Sequence, residues 1–120
     1  MADGISQTAT ALHDLSAVEM LAGFKAKAFT PSEVLDDVLA HVAVWEPHIH
    51  ATYALDPEGA HAVARASSLR WQRGAPIGAL DGVPTTVKEN IATKGVAIPM
   101  GTASTTRSTL RLKSCGAERS

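Results

Sequence analysis

Gly78-Ala-Leu-Asp-Gly-Val-Pro-Thr-Thr-Val-Lys-Glu-Asn-Ile-Ala-Thr-Lys-Gly95 is the stretch from which the rest of the chain can be read. The texture changes just before it: Gly74 to Gly82 is rich in glycine and predicts a run of turns. Val83 to Lys88 is β-branched and alternating, which predicts a strand. Val83, Thr85 and Val87 would face one way, and Pro84, Thr86 and Lys88 the other. Pro84 has no N–H for a ladder, so it belongs at the strand's start or on an edge. Glu89-Asn90-Ile91 leaves the strand, and Lys94-Gly95 turns the chain again. Taken alone, Lys88 reads as a solvated residue or as the ion-pair partner of Glu89. A lysine acts as a base only when neutral, which requires desolvation or nearby positive charge. Glycines at 74, 78 and 82 lack the G-x-G-x-x-G spacing, and Lys88 has no G-K-[ST] context, so no nucleotide loop is read here.

Upstream, the sequence predicts three helices. Ser16 with Glu19 three residues on is a capping box, and Val18, Leu21 and Phe24 follow at helical spacing. Thr30-Pro31 with Glu33 opens the second helix, whose apolar stripe is Val34, Leu35, Val38, Leu39, Val42 and Trp45. Pro47 is expected to stop it near Glu46. Ala51 to Leu55 is expected as a short strand. Asp56-Pro57 opens an alanine-rich third helix that runs to about Arg73, where Gly74 ends it.

The composition is that of a globular chain. Of 120 residues, 45% are hydrophobic and 19% charged, which argues against disorder and allows one modest core. Aromatics at 4% and a net charge of -1 argue against a nucleic-acid surface. The single cysteine, Cys115, has no partner for an internal disulfide and fits a reducing compartment. The N-terminus lacks a signal-peptide pattern, and no apolar run reaches the roughly 18 residues needed to span a bilayer. The expected location is therefore cytoplasmic, with no membrane partner. His48-x-His50 lacks a second His or Cys pair at zinc spacing, so no metal is expected. His13, His41 and His61 are expected as exposed or partly buried helix residues.

The charge is unevenly spread. Residues 1–100 carry seven Lys/Arg and eleven Asp/Glu, whereas residues 101–120 carry four basic residues and one acidic. The basic tail, rich in Ser and Thr, reads as a different kind of sequence. With no aromatics among its charges, it is a poor nucleic-acid arm.

The stretch from Gly78 to Gly95 resembles the amidase signature family, whose pattern is G-P-L-x-G-[IV]-P-x-x-[VI]-K-[DE]-N, then K-G or R-G, then G-[ST]. Lys94-Gly95 and Gly101-Thr102 stand in those last places. Phe29-Thr-Pro-Ser-Glu-Val-Leu35 and Glu46-Pro-His-Ile-His-Ala51 are similar to the family's segments before and after its second helix. The resemblance covers about residues 15–104. It implies an α/β fold, a mixed sheet covered by helices, of which this chain would supply the leading helices and the first strand or two. It implies hydrolysis of a carboxylic amide by a Ser-cisSer-Lys triad, with a small-molecule amide substrate, no cofactor, and Lys88 as the base. A backbone oxyanion hole would stabilise the tetrahedral intermediate. A variant within the family is the amidotransferase subunit that releases ammonia from glutamine, which would bring partner subunits.

The sequence also departs from the pattern. Both family serines belong to a glycine- and serine-rich segment well downstream of the lysine, and this chain contains none. Ser104, Ser108, Ser114 and Ser120 lack the glycine context, so neither serine role is carried onto them. The expected organisation is a loose N-terminus at 1–14, the N-terminal part of an amidase-type domain at 15–104, and a divergent basic tail at 105–120. The family usually continues here toward an Asp-Ala-Pro, a Leu-Arg and a Gly-Ala. In a shifted reading frame, with synonymous codons chosen to suit, residues 107–120 permit Leu-Asp-Ala-Pro-Ala, then a Leu-Arg and a Gly-Ala-Val whose spacings differ from the family's by a residue or two, so a frameshifted gene is an expectation for this tail. The chain alone is expected to be inactive, a helical layer with weakly held strands. The remaining alternative is a non-catalytic helical interaction module with a basic tail.

Overall fold

The computed structural model describes residues 10–91, 94 and 96. The expectations for the extreme N-terminus, for Gly95 and Gly101-Thr102, for the tail and for Cys115 lie outside the described residues. The chain divides after Pro84 into two compact units. In the first, a 3-10 turn at Leu12–Asp14 precedes α1 (Ala17–Ala26), α2 (Pro31–Ile49) and α3 (Pro57–Gln72).

Each helix starts where its cap dictates. Ser16 accepts from the Glu19 amide while the Glu19 carboxylate accepts from the Ser16 amide, and Thr30 and Glu33 repeat the arrangement. Two free amide donors are thus satisfied at each start. Asp56 accepts from the Gly59 amide at 2.9 Å, with Pro57 in the first turn, and Gly74 follows the end of α3 at φ +66°.

The core is Met20, Phe24 and Val34, with Leu12, Leu15, Leu21, Phe29, Val38, Trp71 and Val83 packed around it. Phe24 meets Phe29 edge-on and Trp71 at a tilt, with ring centres 5.7 and 5.8 Å away. A Cβ on Gly23 would stand 2.0 Å from the Phe29 ring, so α1 can accept that ring only at a glycine. α2 and α3 are also joined by hydroxyls. Ser68 Oγ donates to the Ala64 carbonyl, accepts from the Ser32 amide and lies 3.1 Å from Ser32 Oγ.

Four expectations are corrected. The buried face of α1 is Met20, Gly23 and Phe24, while Val18 points out at 76% exposure. α2 does not stop at Glu46 but continues to Ile49 with Pro47 inside its last turn. The ring costs one N–H there, yet the His50 amide still closes the turn on the Glu46 carbonyl at 2.9 Å. The stripe of α2 is buried only at its start: Val34 and Leu35 are covered, whereas Trp45 is half exposed. Its later residues Leu39, Val42 and Pro47 line an open groove of about 410 Å³ with Leu55 and Pro57.

The fourth correction concerns the sheet. Among the described residues there are helices and no strand; Val83–Lys88 and Ala51–Leu55 are both irregular. The alternation at Val83–Lys88 is present, but a strand is defined by a partner's ladder, and no other described segment is extended alongside it. The fold observed among the described residues is thus helical, without the sheet of the expected α/β architecture.

Candidate functional site

The motif segment begins in the first unit, where Asp81 organises it. Asp81 is 9% exposed. Its Oδ1 accepts from Ser67 Oγ at 2.7 Å and from Arg70 Nη2 at 2.7 Å. Its Oδ2 accepts from Arg70 Nε at 2.8 Å and from the Ile77 amide at 3.1 Å. Its carbonyl accepts from Trp71 Nε1 at 3.0 Å. Four donors on one carboxylate satisfy a charge that burial alone would disfavour. The Arg70 guanidinium therefore holds the Asp81 carboxyl well below the usual carboxylate range, with Ser67 and the Ile77 amide helping. The same contact raises the Arg70 guanidinium.

The turns expected between Gly78 and Gly82 are present. The Asp81 amide bonds the Gly78 carbonyl and the Val83 amide bonds the Leu80 carbonyl. Gly82 has φ +87°, and a Cβ there would lie 2.6 Å from Pro31 Cγ and 2.7 Å from Ser67 Oγ. Glycine is thus required twice over, by backbone conformation and by close approach to α2 and α3. Val83 then joins the core. The result is a loop pinned to α3 through its aspartate and to the core through its valine.

In the second unit, Lys88 is exposed and its carbonyl accepts from the Ile91 amide at 2.9 Å, closing a turn through Glu89 and Asn90. Among the described residues Lys88 forms no ion pair, with Glu89 or otherwise. Ser104, Ser108, Ser114 and Ser120 lie outside the described residues.

The histidines serve local structure. His13 Nδ1 lies 2.6 Å from Asp37 Oδ2, which also accepts the His13 amide, and its ring stacks on His41 at 3.9 Å. His61 pairs with Asp36 at 3.3 Å. His50 takes the left-handed conformation that caps α2. No helix among the described residues is long and apolar enough to cross a membrane.

Sequence reasoning missed Asp81, Arg70, Ser67 and Trp71 as a group. The Asp-Gly dipeptide marked a turn, but no periodic signal links Asp81 to residues 10 to 14 positions earlier on a helix.

Comparison with known proteins places the chain. The family model described as Amidase matches residues 33–110, a span that includes Asp81, Gly82 and Lys88. The glutamyl-tRNA(Gln) amidotransferase A-subunit from Chloroflexus aurantiacus is 38% identical over 92 residues, covering 77% of this chain and 19% of the relative. The Myxococcus xanthus protein of the same name is 37% identical over 90 residues, covering 75% of this chain and 18% of the relative. The mitochondrial counterpart of the same name from Ixodes scapularis is 34% identical over 87 residues, covering 72% and 17%. The chain thus spans about a fifth of the length of the curated relatives it matches. No solved structure matches it significantly.

Proposed function

The chain belongs to the amidase family, and on that premise we propose that it is the leading part of an amide-hydrolysing domain in which Lys88 is the base. The observation that carries this reading is the family match over residues 33–110, together with the G-V-P-T-T-V-K-E-N run inside it. In the proposed mechanism the Lys88 amine, when neutral, takes a proton relayed through a bridging serine from a nucleophilic serine. The serine oxygen attacks the amide carbonyl. As the tetrahedral intermediate collapses, the protonated lysine returns its proton through the bridging serine to the departing nitrogen, the C–N bond breaks to release ammonia or an amine, and an acyl-enzyme remains. Water or a bound acceptor then resolves the acyl-enzyme. Both serines come from sequence outside this chain, so the 120 residues alone turn over no amide. The irregular Val83–Lys88 segment becomes a strand once neighbouring strands supply its ladder, which completes the α/β fold.

A second reading within the family is favoured by the names of the relatives: the amide is that of glutamine, and the chain belongs to a protein that assembles with other subunits on an aminoacylated tRNA. Both readings are tested by joining residues 1–104 to the remaining length of the Chloroflexus relative and measuring ammonia release from glutamine and from simple carboxamides. Activity that falls by about a thousandfold or more on Lys88→Ala supports the role. Activity that survives the substitution rejects it. Release from glutamine only, with co-purifying subunits, selects the second reading.

A further inference from the structure

α2 carries one apolar seam along its whole length, at a spacing that keeps it on a single helix face. Pro31, Val34, Leu35 and Val38 begin the seam, and Val42, Trp45 and Ile49 continue it. At its start Val34 packs with Met20 and Phe24 of α1, and Val38 packs against that cluster. Among the described residues the cover fails in the second half: Trp45 is 50% exposed and Ile49 60%. Val42, with Leu39, lines the open groove of about 410 Å³ that Leu55 and Pro57 also line. The open half of α2, from Leu39 to Ile49, is about 16 Å long. An apolar surface that runs on from the core and stays open marks a contact face.

We propose that this half of α2 pairs antiparallel with the same half of a second copy of the chain, about a twofold axis near Val42. Two features select a second copy. The seam is continuous with the core, so a helix laid on it extends a packing that α1 already begins. The charges flanking the seam are also self-complementary. Asp36 and Asp37 stand in the first half of α2, His48 in its last turn and His50 at its C-cap. Antiparallel pairing sets Asp37 opposite the partner's His48 and Asp36 opposite the partner's His50, and both pairs centre on the same point, Val42–Ala43. A parallel pair would set carboxylate against carboxylate instead. Asp36 and Asp37 already meet His61 and His13, yet their side chains remain 67% and 36% exposed, open to a further donor. An imidazole supplies one, since it carries an N–H in either protonation state. A contact of this isologous kind closes at two copies. It brings Ile49 of one copy to the open edge of its partner's core. The proposal is independent of the role of Lys88.

Sedimentation equilibrium of the full 120-residue chain tests it. The patch is small against the roughly 800 Å² per partner of a standard interface, so a dimer with a Kd of about 10–100 μM is expected. Trp45→Glu should weaken association about tenfold or more with helical circular dichroism unchanged. Val18→Glu, at an exposed side chain of α1, should leave association as it was. If Trp45→Glu does not fold, the double variant His48→Asp, His50→Asp, at two exposed positions, sets like charges across the contact and should weaken it comparably. Register is read by oxidation in a Cys115→Ser background. Val42→Cys should cross-link to its copy, whereas two Ile49→Cys thiols would stand about 18 Å apart, beyond disulfide reach, and should not. A chain still monomeric at about 1 mM overturns the inference. So does a dimer that survives the α2 substitutions, one that Val18→Glu disrupts equally, or one that Ile49→Cys cross-links in place of Val42→Cys.

Discussion

Arg70 and Asp81 form a two-point ion pair, Nε to Oδ2 at 2.8 Å and Nη2 to Oδ1 at 2.7 Å, with the aspartate side chain only 3% exposed. The pair ties a helix to the loop that leads into the family motif. A planar guanidinium matches a carboxylate in both distance and direction, which a lysine could not do. Removing the carboxylate strands donors from Ser67, Ile77 and Arg70, so Asp81→Ala should destabilise the helical unit by about 2 kcal/mol. Urea unfolding monitored by circular dichroism reads this directly, and a midpoint equal to that of the parent chain would contradict it.

Gly82→Ala should be at least as damaging. It places a Cβ at φ +87° and within 2.7 Å of Pro31 and Ser67. Left-handed strain and overpacking together should cost about 3 kcal/mol. Gly78→Ala is the control, because nothing lies within 4 Å of a Cβ there. Similar losses for the two substitutions would show that the close approach is not what matters.

Acid should unfold the helical unit through a small set of carboxylates. Asp81 is lowered chiefly by Arg70, Asp37 by the His13 amide, Glu19 by the Ser16 amide and Glu46 by the Thr52 amide. A carboxylate lowered on folding contributes stability that is present above its unfolded value, about 3.9 for Asp and 4.3 for Glu, and is lost as pH falls towards its folded value. The urea midpoint should therefore be level from pH 7 to about pH 5 and fall steadily below that. A midpoint that holds down to pH 3 would refute the assignment.

Amide hydrogen exchange should separate the helices from the motif. Phe24, Val34 and Ser67 should exchange slowly, while Thr85 to Lys88, with no ladder among the described residues, should exchange within the dead time of a manual experiment. Strong protection across Thr85–Lys88 would mean that the segment has found a strand partner in this chain.

The gene should contain the family's continuation in another frame. Nucleotide sequence beyond the codon for residue 104 is expected to read Leu-Asp-Ala-Pro-Ala and, further on, a glycine- and serine-rich segment. Absence of that segment in every frame would remove both the frame shift and its explanation of the basic tail.

The three helices and their start points were legible because caps are local. Ser16–Glu19, Thr30–Glu33 and Asp56–Pro57 act within four residues, so a linear reading contains all the partners. Pro47 misled because a helix can run past a proline for one turn: the ring forfeits the single N–H bond to the carbonyl four residues back, while the His50 amide still closes on the Glu46 carbonyl. Val18 misled because helical spacing identifies adjoining faces and only the neighbour selects one, here the face of Met20 and Phe24. Lys88 was recognisable by resemblance, whereas nothing in the sequence connected Arg70 with Asp81.

By itself, the sequence determined the caps, the three helices, the turns before Gly82 and the family motif that ends in Lys88. All of these are written in residues a few positions apart, where backbone geometry and hydrogen-bonding reach are short. Tertiary structure alone decided which face of α1 is buried, that Gly82 must be glycine against Pro31 and Ser67, that Arg70 closes on Asp81, and that Val83–Lys88 carries no ladder among the described residues. The physical reason is the same in each case: burial, close approach and strand pairing are properties of a partner, and the partner is set by how the chain returns on itself.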